Sequence, residues 1–210
     1  MSERDEALRK IKEEVIGLST SPLYAERVKN KYFPVIGEGN HSALLMFVGE
    51  APGKNEAITG RPFCGRAGKV LDLLMAHIGL ERKDVYVTNI VKDRPPVNRD
   101  PYPDEIAIYA PFLDRQIEII QPKVVVTLGR FSMQYVMNRY GLEKELSSIS
   151  ALHGKVFDIN FSAKGGPANP EGGKFVPLYH PAAAIYNQHL LDTLKEDFKV
   201  LKTMVKYKGT

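Results

Sequence analysis

Three short segments of this chain carry side chains suited to recognition and cleavage chemistry. The first is GEAPGKNE at residues 49–56, which combines glycines with a lysine and two carboxylates. It is superficially similar to a phosphate-binding loop, but that loop requires four residues between its glycines and a Ser or Thr after the lysine. Here three residues separate Gly49 from Gly53, and Asn55 follows Lys54. A simpler interpretation, in which the glycines serve only a tight turn, stays open for this segment alone.

The other two segments contain an asparagine and a histidine. NIVKDRPPVNR starts at Asn89, whose amide places a hydrogen-bond donor beside an acceptor, as the reading of a base edge requires. YHPAAAIYN contains His180, an imidazole that can donate a hydrogen bond or exchange a proton. Taken singly, an asparagine at a strand end is more often a turn former, and a histidine is more often structural. Only the joint order and spacing of the three segments favours a shared site.

Hydrophobic periodicity predicts the elements that position these segments. Apolar runs with the length of buried strands lie at Ala43–Val48, Val85–Thr88 with Ile90, Val124–Leu128 and Lys174–Leu178. Helical spacing lies at 4–17, Gly65–Ile78, Pro103–Ile120, Arg130–Tyr140 and Leu190–Tyr207. The alternation predicts one α/β domain over residues 1–210, a three-layer α/β/α fold with a central, mainly parallel four-stranded sheet. Ser162–Lys174 is rich in Gly and Pro and predicts a surface hairpin loop or mobile flap.

The order of these elements predicts where the three segments lie. Each segment directly follows a predicted strand. Parallel sheets bind ligands beyond the carboxyl ends of their strands. We therefore expect the three segments to converge on one rim of the sheet.

Composition narrows the classes of protein. The formal charge of +4 permits a polyanionic partner without requiring one, and Cys64 is the single cysteine. One cysteine excludes an intramolecular disulfide and any metal site built from several thiolates of this chain. No stretch is apolar enough to span a membrane, and the charged N-terminus lacks the features of a secretory signal. We expect a cytoplasmic monomer without metal or cofactor.

In order and separation, the segments together resemble the uracil-DNA glycosylase superfamily, and specifically its thermophile and archaeal branch, often called family 4. Its motifs stand here as GEAPGKNE, TGRPFCGRAG, NIVKDRPPVNRDP and HPAAAIYN, and the similarity runs from about Val35 to Asn187. The resemblance implies an enzyme of DNA repair that flips uracil out of DNA and hydrolyses its bond to deoxyribose. It implies uracil-containing DNA as the partner and leaves open whether a sliding clamp also binds.

One departure from that branch concerns an iron–sulfur cluster, which its members hold with four cysteines. Alignment on the neighbouring motifs puts these positions at Leu18, Ser21, Asp93 and Tyr109, none of which is a cysteine. The resemblance therefore implies a relative that lacks the cluster and that keeps the cleavage chemistry. We expect Leu18 and Tyr109 to pack where the cluster would lie, so that apolar burial replaces coordination.

The resemblance also implies roles around an everted uracil. Phe63 is expected to stack on the ring, Asn89 to pair with N3–H and O4, and His180 to donate a hydrogen bond to O2. Glu50 is the leading candidate to hold the attacking water and to oppose the positive charge on the sugar. Asn98 is expected to assist Glu50 by hydrogen bonding.

Two further positions follow from the same motifs. Ala51 occupies the position at which another branch of the superfamily has an aspartate, so it is expected to line the substrate pocket. Glu56 matches the second acidic position of the branch and is expected to approach uracil C5 and exclude the thymine methyl group. An exposed loop charge is the alternative interpretation of Glu56.

The last motif is expected to enter the minor groove of DNA and fill the gap behind the flipped nucleotide. Its contact residues would be Pro181, Ala183, Ile185 and Tyr186. Arg130, beside Gly129, is expected to contact a phosphate, although a solvated surface arginine is an equal alternative. Further basic side chains for the same rim are Lys54, Arg61, Lys92 and Arg99.

Two other functions stay open. Without the cluster, the protein could release another deaminated base such as hypoxanthine or xanthine, although Asn89 favours uracil. A non-catalytic nucleic-acid-binding relative is the second alternative, and the presence of Glu50, Asn89 and His180 together argues against it.

Overall fold

The chain alternates strands and helices, in a computed structural model that describes residues 2–161 and 172–204. The helices among these residues are α1 Glu3–Ile16, α2 Tyr24–Lys29, α3 Lys54–Thr59, α4 Arg66–His77, α5 Pro103–Ile120, α6 Arg130–Arg139, α7 Ile149–Leu152 and α8 Gln188–Met204. The strands are β1 Glu38–Gly39, β2 Leu45–Gly49, β3 Tyr86–Asn89, β4 Val124–Leu128, β5 Phe157–Ile159 and β6 Gly173–Leu178.

The described strands form one sheet in the order β1-β3-β2-β4-β6-β5. The four central strands are parallel to one another, as predicted. The predicted strand number is wrong, because β1 and β5 add an antiparallel strand at each edge and make a six-stranded sheet. Strands of two and three residues are too short to produce a readable periodicity. Their shortness also protects the edges of the sheet from pairing with another chain.

Helices cover both faces of the sheet because successive strand residues point to opposite sides. On one face, Met46 and Val125 pack in a core that includes residues of α1, α5 and α6. On the other face, Phe47 and Val126 pack against α4 and α8, and Phe47 stacks on Phe198 with the ring centroids 5.8 Å apart. This arrangement confirms the predicted three-layer α/β/α architecture.

The predicted and observed boundaries differ mainly at short elements. α5 and β4 have the predicted bounds, whereas α2, α3 and α7 were not predicted because each is at most six residues long. Most of the predicted loop at Ser162–Lys174, and the predicted end of the last helix, lie outside the described residues, although Lys174 belongs to β6. No helix in the described ranges is both long and apolar enough to cross a membrane.

Candidate active site

A pocket of about 380 Å³ opens beyond the carboxyl ends of β2, β3 and β6. It brings together all seven residues that the sequence assigned to catalysis or substrate binding, namely Glu50, Ala51, Glu56, Phe63, Asn89, Asn98 and His180, and Arg99 of the predicted basic rim also lines it. The expectation that the three segments converge on one rim is therefore confirmed. The pocket is within the size range of small-molecule sites.

Asn89 lies on the inner wall of this pocket at the end of β3. Its side chain is buried, and its Oδ1 atom has no hydrogen-bond partner within the described part of the chain. A Cβ atom at Gly49 would lie 2.3 Å from this oxygen and 2.6 Å from Cζ of Phe63, so only glycine fits beneath the two side chains. Buried acceptors are almost always paired. The unpaired Oδ1 atom is therefore suited to accept a hydrogen bond from a ligand.

Phe63 is held in an unusual backbone conformation beside Asn89. Its φ angle is 49°, in the left-handed region that a bulky residue adopts only when its surroundings impose it. Arg82 donates hydrogen bonds to the carbonyl oxygens of Phe63 at 2.6 Å and Pro62 at 3.2 Å. A Cβ atom at Gly68 would lie 1.6 Å from the Phe63 carbonyl oxygen, so glycine is required there as well. These contacts fix the aromatic ring against the pocket.

His180 faces the ring of Phe63, with the ring centroids 5.7 Å apart and an interplanar angle of 28°. Its Nδ1 atom accepts a hydrogen bond from the Ala182 amide at 3.1 Å, so the neutral ring carries its hydrogen on Nε2. Burial lowers the pKa of His180 to about 4 because desolvation disfavours the imidazolium, with Glu56 opposing the shift. At neutral pH the side chain is therefore a neutral Nε2–H donor.

Glu50 is half-buried at the pocket wall, and its carboxyl group makes no hydrogen bond with the residues in the described ranges. Its pKa is raised to about 7, first by desolvation and then by the charge of Asp100, while Arg130 acts in the opposite direction. A carboxyl group with a pKa near neutrality can accept a proton and release it again at physiological pH. Asn98, also at the pocket, has a φ angle of 55°, and its Oδ1 atom accepts a hydrogen bond from Nε of Arg94 at 2.7 Å.

The Glu56 side chain lines the pocket and also accepts hydrogen bonds from the main chain, so it is not an exposed charge on a loop. Its Oε1 atom accepts hydrogen bonds from the amides of Cys64 at 3.0 Å and Gly65 at 2.8 Å, so it caps the loop that carries Phe63. Ala51 is half-buried and packs against the core at the pocket floor. The capping contacts of Glu56 could not be predicted from sequence because the loop geometry determines them.

The segment after His180 forms a short 3-10 turn over Pro181–Ala184. Ala183 and Tyr186 are exposed, Ile185 is half-buried, and Pro181 is buried. The Tyr186 hydroxyl accepts a hydrogen bond from Arg66, whose guanidinium carbon lies 5.5 Å from the centroid of the tyrosine ring. Arg66 was not singled out from the sequence, although it stands in the second motif, TGRPFCGRAG.

The predicted basic rim is only partly present. Arg130 is exposed and pairs with Asp100 at 2.5 Å, Arg61 pairs with Glu38, and Arg99 pairs with the buried Glu105. The prediction is wrong for Lys92, which is 0% exposed and donates hydrogen bonds inside the protein. Sequence cannot distinguish these cases because a lysine stem is long enough to reach either solvent or the interior.

The four positions implied as cluster ligands meet in space. The Ser21 amide donates to the Leu18 carbonyl at 3.2 Å, and the hydroxyl groups of Ser21 and Tyr109 lie 2.7 Å apart. Tyr109 in turn donates to Oδ2 of Asp93 at 2.6 Å. These side chains supply none of the thiolates that hold such clusters, so the residues present do not fit an iron–sulfur group. No set of three or more His, Cys, Asp and Glu within 2–161 and 172–204 is arranged to hold a metal ion.

Leu18 and Tyr109 pack against the apolar core as expected, and Tyr109 is fully buried. The expectation that apolar burial replaces coordination is incomplete, because the Tyr109 hydroxyl belongs to a buried polar network. Arg27 completes the network. One nitrogen of its guanidinium group donates to both carboxylate oxygens of Asp93, at 3.1 and 3.0 Å. The guanidinium group also donates hydrogen bonds to the main-chain carbonyls of Val15 and Ile16. The network thus joins the end of α1 to α2, to α5 and to the loop after β3.

Comparison with known proteins identifies the family of this chain. The model of the uracil DNA glycosylase superfamily matches residues 36–202. A type-4 uracil-DNA glycosylase of Sulfurisphaera tokodaii is 48% identical over 95% of this chain and 85% of its own. The type-4 enzyme of Archaeoglobus fulgidus is 42% identical over 92% and 91%, and that of Thermotoga maritima is 37% identical over 100% of both chains. The chain therefore belongs to the uracil DNA glycosylase superfamily.

Proposed function

We propose that this chain is a DNA repair glycosylase that flips uracil out of DNA and hydrolyses its N-glycosidic bond, leaving an abasic site. The observation that carries the proposal is the buried, unpaired Oδ1 atom of Asn89, beside the ring of Phe63 and the neutral donor His180. The relatives named as type-4 uracil-DNA glycosylases support it, because they cover nearly the whole chain.

Recognition of uracil follows from the donor and acceptor order of Asn89. Its Oδ1 atom accepts the N3–H of uracil, and its Nδ2 atom donates to O4. Cytosine has an acceptor at N3 and a donor at C4, so it would leave both groups of Asn89 facing like groups in a buried site. Phe63 stacks on the base, a contact that contributes roughly 1–3 kcal/mol and offsets the cost of unstacking the nucleotide.

Cleavage breaks the bond between N1 of uracil and C1′ of the sugar. The electron pair stays on the departing uracil, and the Nε2–H group of His180 stabilises the negative charge at O2, a type of contact typically worth about 3 kcal/mol. The oxygen of a water molecule bonds to C1′, and its proton passes to the Glu50 carboxylate. Glu50 also opposes the positive charge on the sugar, and the Asn98 amide orients the water.

Glu56 and Ala51 shape the pocket around the base. One oxygen of Glu56 is committed to the amides of Cys64 and Gly65, so the other is the oxygen free to face uracil C5 and exclude a methyl group. The small side chain of Ala51 leaves room for the base.

The exposed turn after His180 carries the contacts to DNA. Ala183 and Tyr186, with Ile185 and the buried Pro181 behind them, fill the gap left by the flipped nucleotide. Arg130 contacts a phosphate in place of Asp100. Every proposed site residue comes from a single chain, so a monomer is sufficient for the reaction.

Single-turnover release of bases from duplexes containing uracil, hypoxanthine or xanthine tests this proposal. We expect uracil to be released and Asn89→Ala to abolish release. The matched control is Asn138→Ala, an exposed asparagine on α6, which should leave the rate unchanged. Release of hypoxanthine or xanthine instead of uracil would indicate the alternative substrate, and DNA binding without release of any base would indicate a non-catalytic relative.

A further inference from the structure

We infer that Lys92 is a positioning residue for base recognition, because its side-chain amino group holds the main-chain carbonyl of Asn89 and thereby fixes the amide that reads the base. This inference rests on the proposed function and extends it to a residue outside the pocket wall.

Lys92 is completely buried, and within the described part of the chain its amino group donates to neutral acceptors. Its Nζ atom lies 2.6 Å from the Asn89 carbonyl oxygen, 2.6 Å from Oε1 of Gln116 and 2.9 Å from Oγ1 of Thr88. Burial lowers the pKa of Lys92 well below its ordinary value because the charged form loses its hydration. A buried amine of this kind is costly unless its hydrogens are bonded. The three contacts satisfy that requirement.

The acceptors around Lys92 are themselves fixed. Nε2 of Gln116 donates to the Ile36 carbonyl at 2.9 Å and to the Tyr86 hydroxyl at 3.2 Å, so Oε1 of the same amide is directed at Lys92. The Thr88 hydroxyl donates to the Ile36 carbonyl at 2.6 Å and is left to accept from Lys92. The amino group is therefore held from two sides while it holds Asn89.

Strand pairing explains why the carbonyl of Asn89 needs this support. The described pairing of β1 with β3 stops at Val87, two residues before Asn89. On the opposite side of β3, the next amides, those of Ile90 and Val91, donate to the carbonyls of Gly49 and Glu50 at 3.1 and 3.0 Å. On the β1 side, the carbonyl of Asn89 therefore has no amide of a described neighbouring strand to accept from. The amino group of Lys92 supplies the hydrogen-bond donor in place of that strand.

The consequence concerns the side chain of Asn89, because its amide is attached to the peptide that Lys92 holds. Without the amino group, that peptide keeps only the hydrogen bond from the Ile90 amide to Gly49 on its other side, so its carbonyl is no longer fixed and the Asn89 amide is held less firmly in the orientation that faces the pocket. The loss should appear in the binding of the base itself, and much less in contacts to the DNA backbone.

Free uracil is the probe that isolates this effect. We expect Lys92→Met, which keeps the length of the side chain, to bind free uracil about tenfold more weakly. Binding to a duplex with an abasic site should stay within about twofold of the parent, since the turn after His180 is unchanged. The matched control is Thr88→Val, which removes another contact of Lys92 and a longer contact of 3.4 Å from the Thr88 hydroxyl to the Asn89 carbonyl, and leaves the 2.6 Å contact of Lys92 to that carbonyl in place. It should bind uracil within about twofold of the parent.

Two outcomes with this pair would overturn the inference: equal uracil affinity in the Lys92→Met and Thr88→Val variants, or an equal loss of uracil and DNA binding in Lys92→Met. If Lys92→Met does not fold, the parent protein with nitrogen-labelled lysine provides the test. Addition of free uracil should then shift the side-chain nitrogen resonance of Lys92, and an unchanged resonance in a uracil-saturated sample would reject the inference. A parent that binds no uracil would instead reject the proposed function, and the role of Lys92 with it.

Discussion

Removal of the Tyr109 hydroxyl should destabilise the protein substantially, although Tyr109 lies outside the pocket. Tyr109→Phe keeps the ring in the core and deletes one oxygen atom. That oxygen donates to Asp93 at 2.6 Å and, because its hydrogen is used there, accepts from Ser21 at 2.7 Å. The substitution therefore removes a hydrogen bond to a carboxylate and leaves the buried Ser21 hydroxyl without an acceptor.

The size of the effect follows from those two contacts. A hydrogen bond to a charged group contributes about 1.5–3 kcal/mol, and a buried donor left unpaired costs about 1–3 kcal/mol. Asp93 keeps its ion pair with Arg27, which limits the loss. We expect the free energy of unfolding to fall by about 3 kcal/mol, which lowers Tm by roughly 10 °C in a chain of this length.

Thermal and urea unfolding, followed by circular dichroism, measure this loss. The matched control is Tyr24→Phe, since the Tyr24 hydroxyl makes no hydrogen bond with the part of the chain that the structure describes. Tyr24→Phe should change the free energy of unfolding by less than about 0.5 kcal/mol. Asp93→Asn, which leaves Arg27 buried without a carboxylate, should cost about 3–5 kcal/mol.

A double-mutant cycle decides whether the network acts as a unit. If Tyr109 and Asp93 interact as the distances indicate, the effects of the two substitutions should be non-additive by about 1 kcal/mol or more. Equal stability of Tyr109→Phe and Tyr24→Phe, or strict additivity in the cycle, would refute the role given to this network.

Three further predictions concern the pocket. The pKa of Glu50 is raised to about 7 and the carboxylate is the form that accepts the proton, so kcat/KM for uracil release should rise as the pH increases through about 7. The Glu50→Gln variant should lack this rise. A flat pH profile in the parent protein would contradict the role given to Glu50. His180→Ala should lower single-turnover cleavage by about 100-fold or more with little change in DNA affinity, whereas Tyr186→Ala should weaken duplex binding measured by fluorescence anisotropy. Gly68→Ala should displace the loop of Phe63, because the new Cβ atom would lie 1.6 Å from its carbonyl oxygen; unchanged affinity for free uracil would show that the loop tolerates the change.

The sequence was sufficient for the features that depend on local pattern. Apolar runs with the length of strands predicted β4 with its observed bounds, and helical spacing predicted α5. Because each motif segment follows a parallel strand, the meeting of Glu50, Asn89 and His180 at one rim could also be predicted. The edge strands could not, since two or three residues carry no periodicity.

The tertiary structure alone decided the features that depend on contacts between distant residues. Lys92 and Arg130 are both basic residues close after strand ends, yet one is fully buried and the other is exposed. The partners of Tyr109, the side of the His180 ring that carries the hydrogen, and the raised pKa of Glu50 are likewise absent from any local pattern. The physical reason is that periodicity shows which side chains of one helix or strand share a face. The burial of a side chain and its hydrogen-bond partners depend on which other segments of the chain pack against that face.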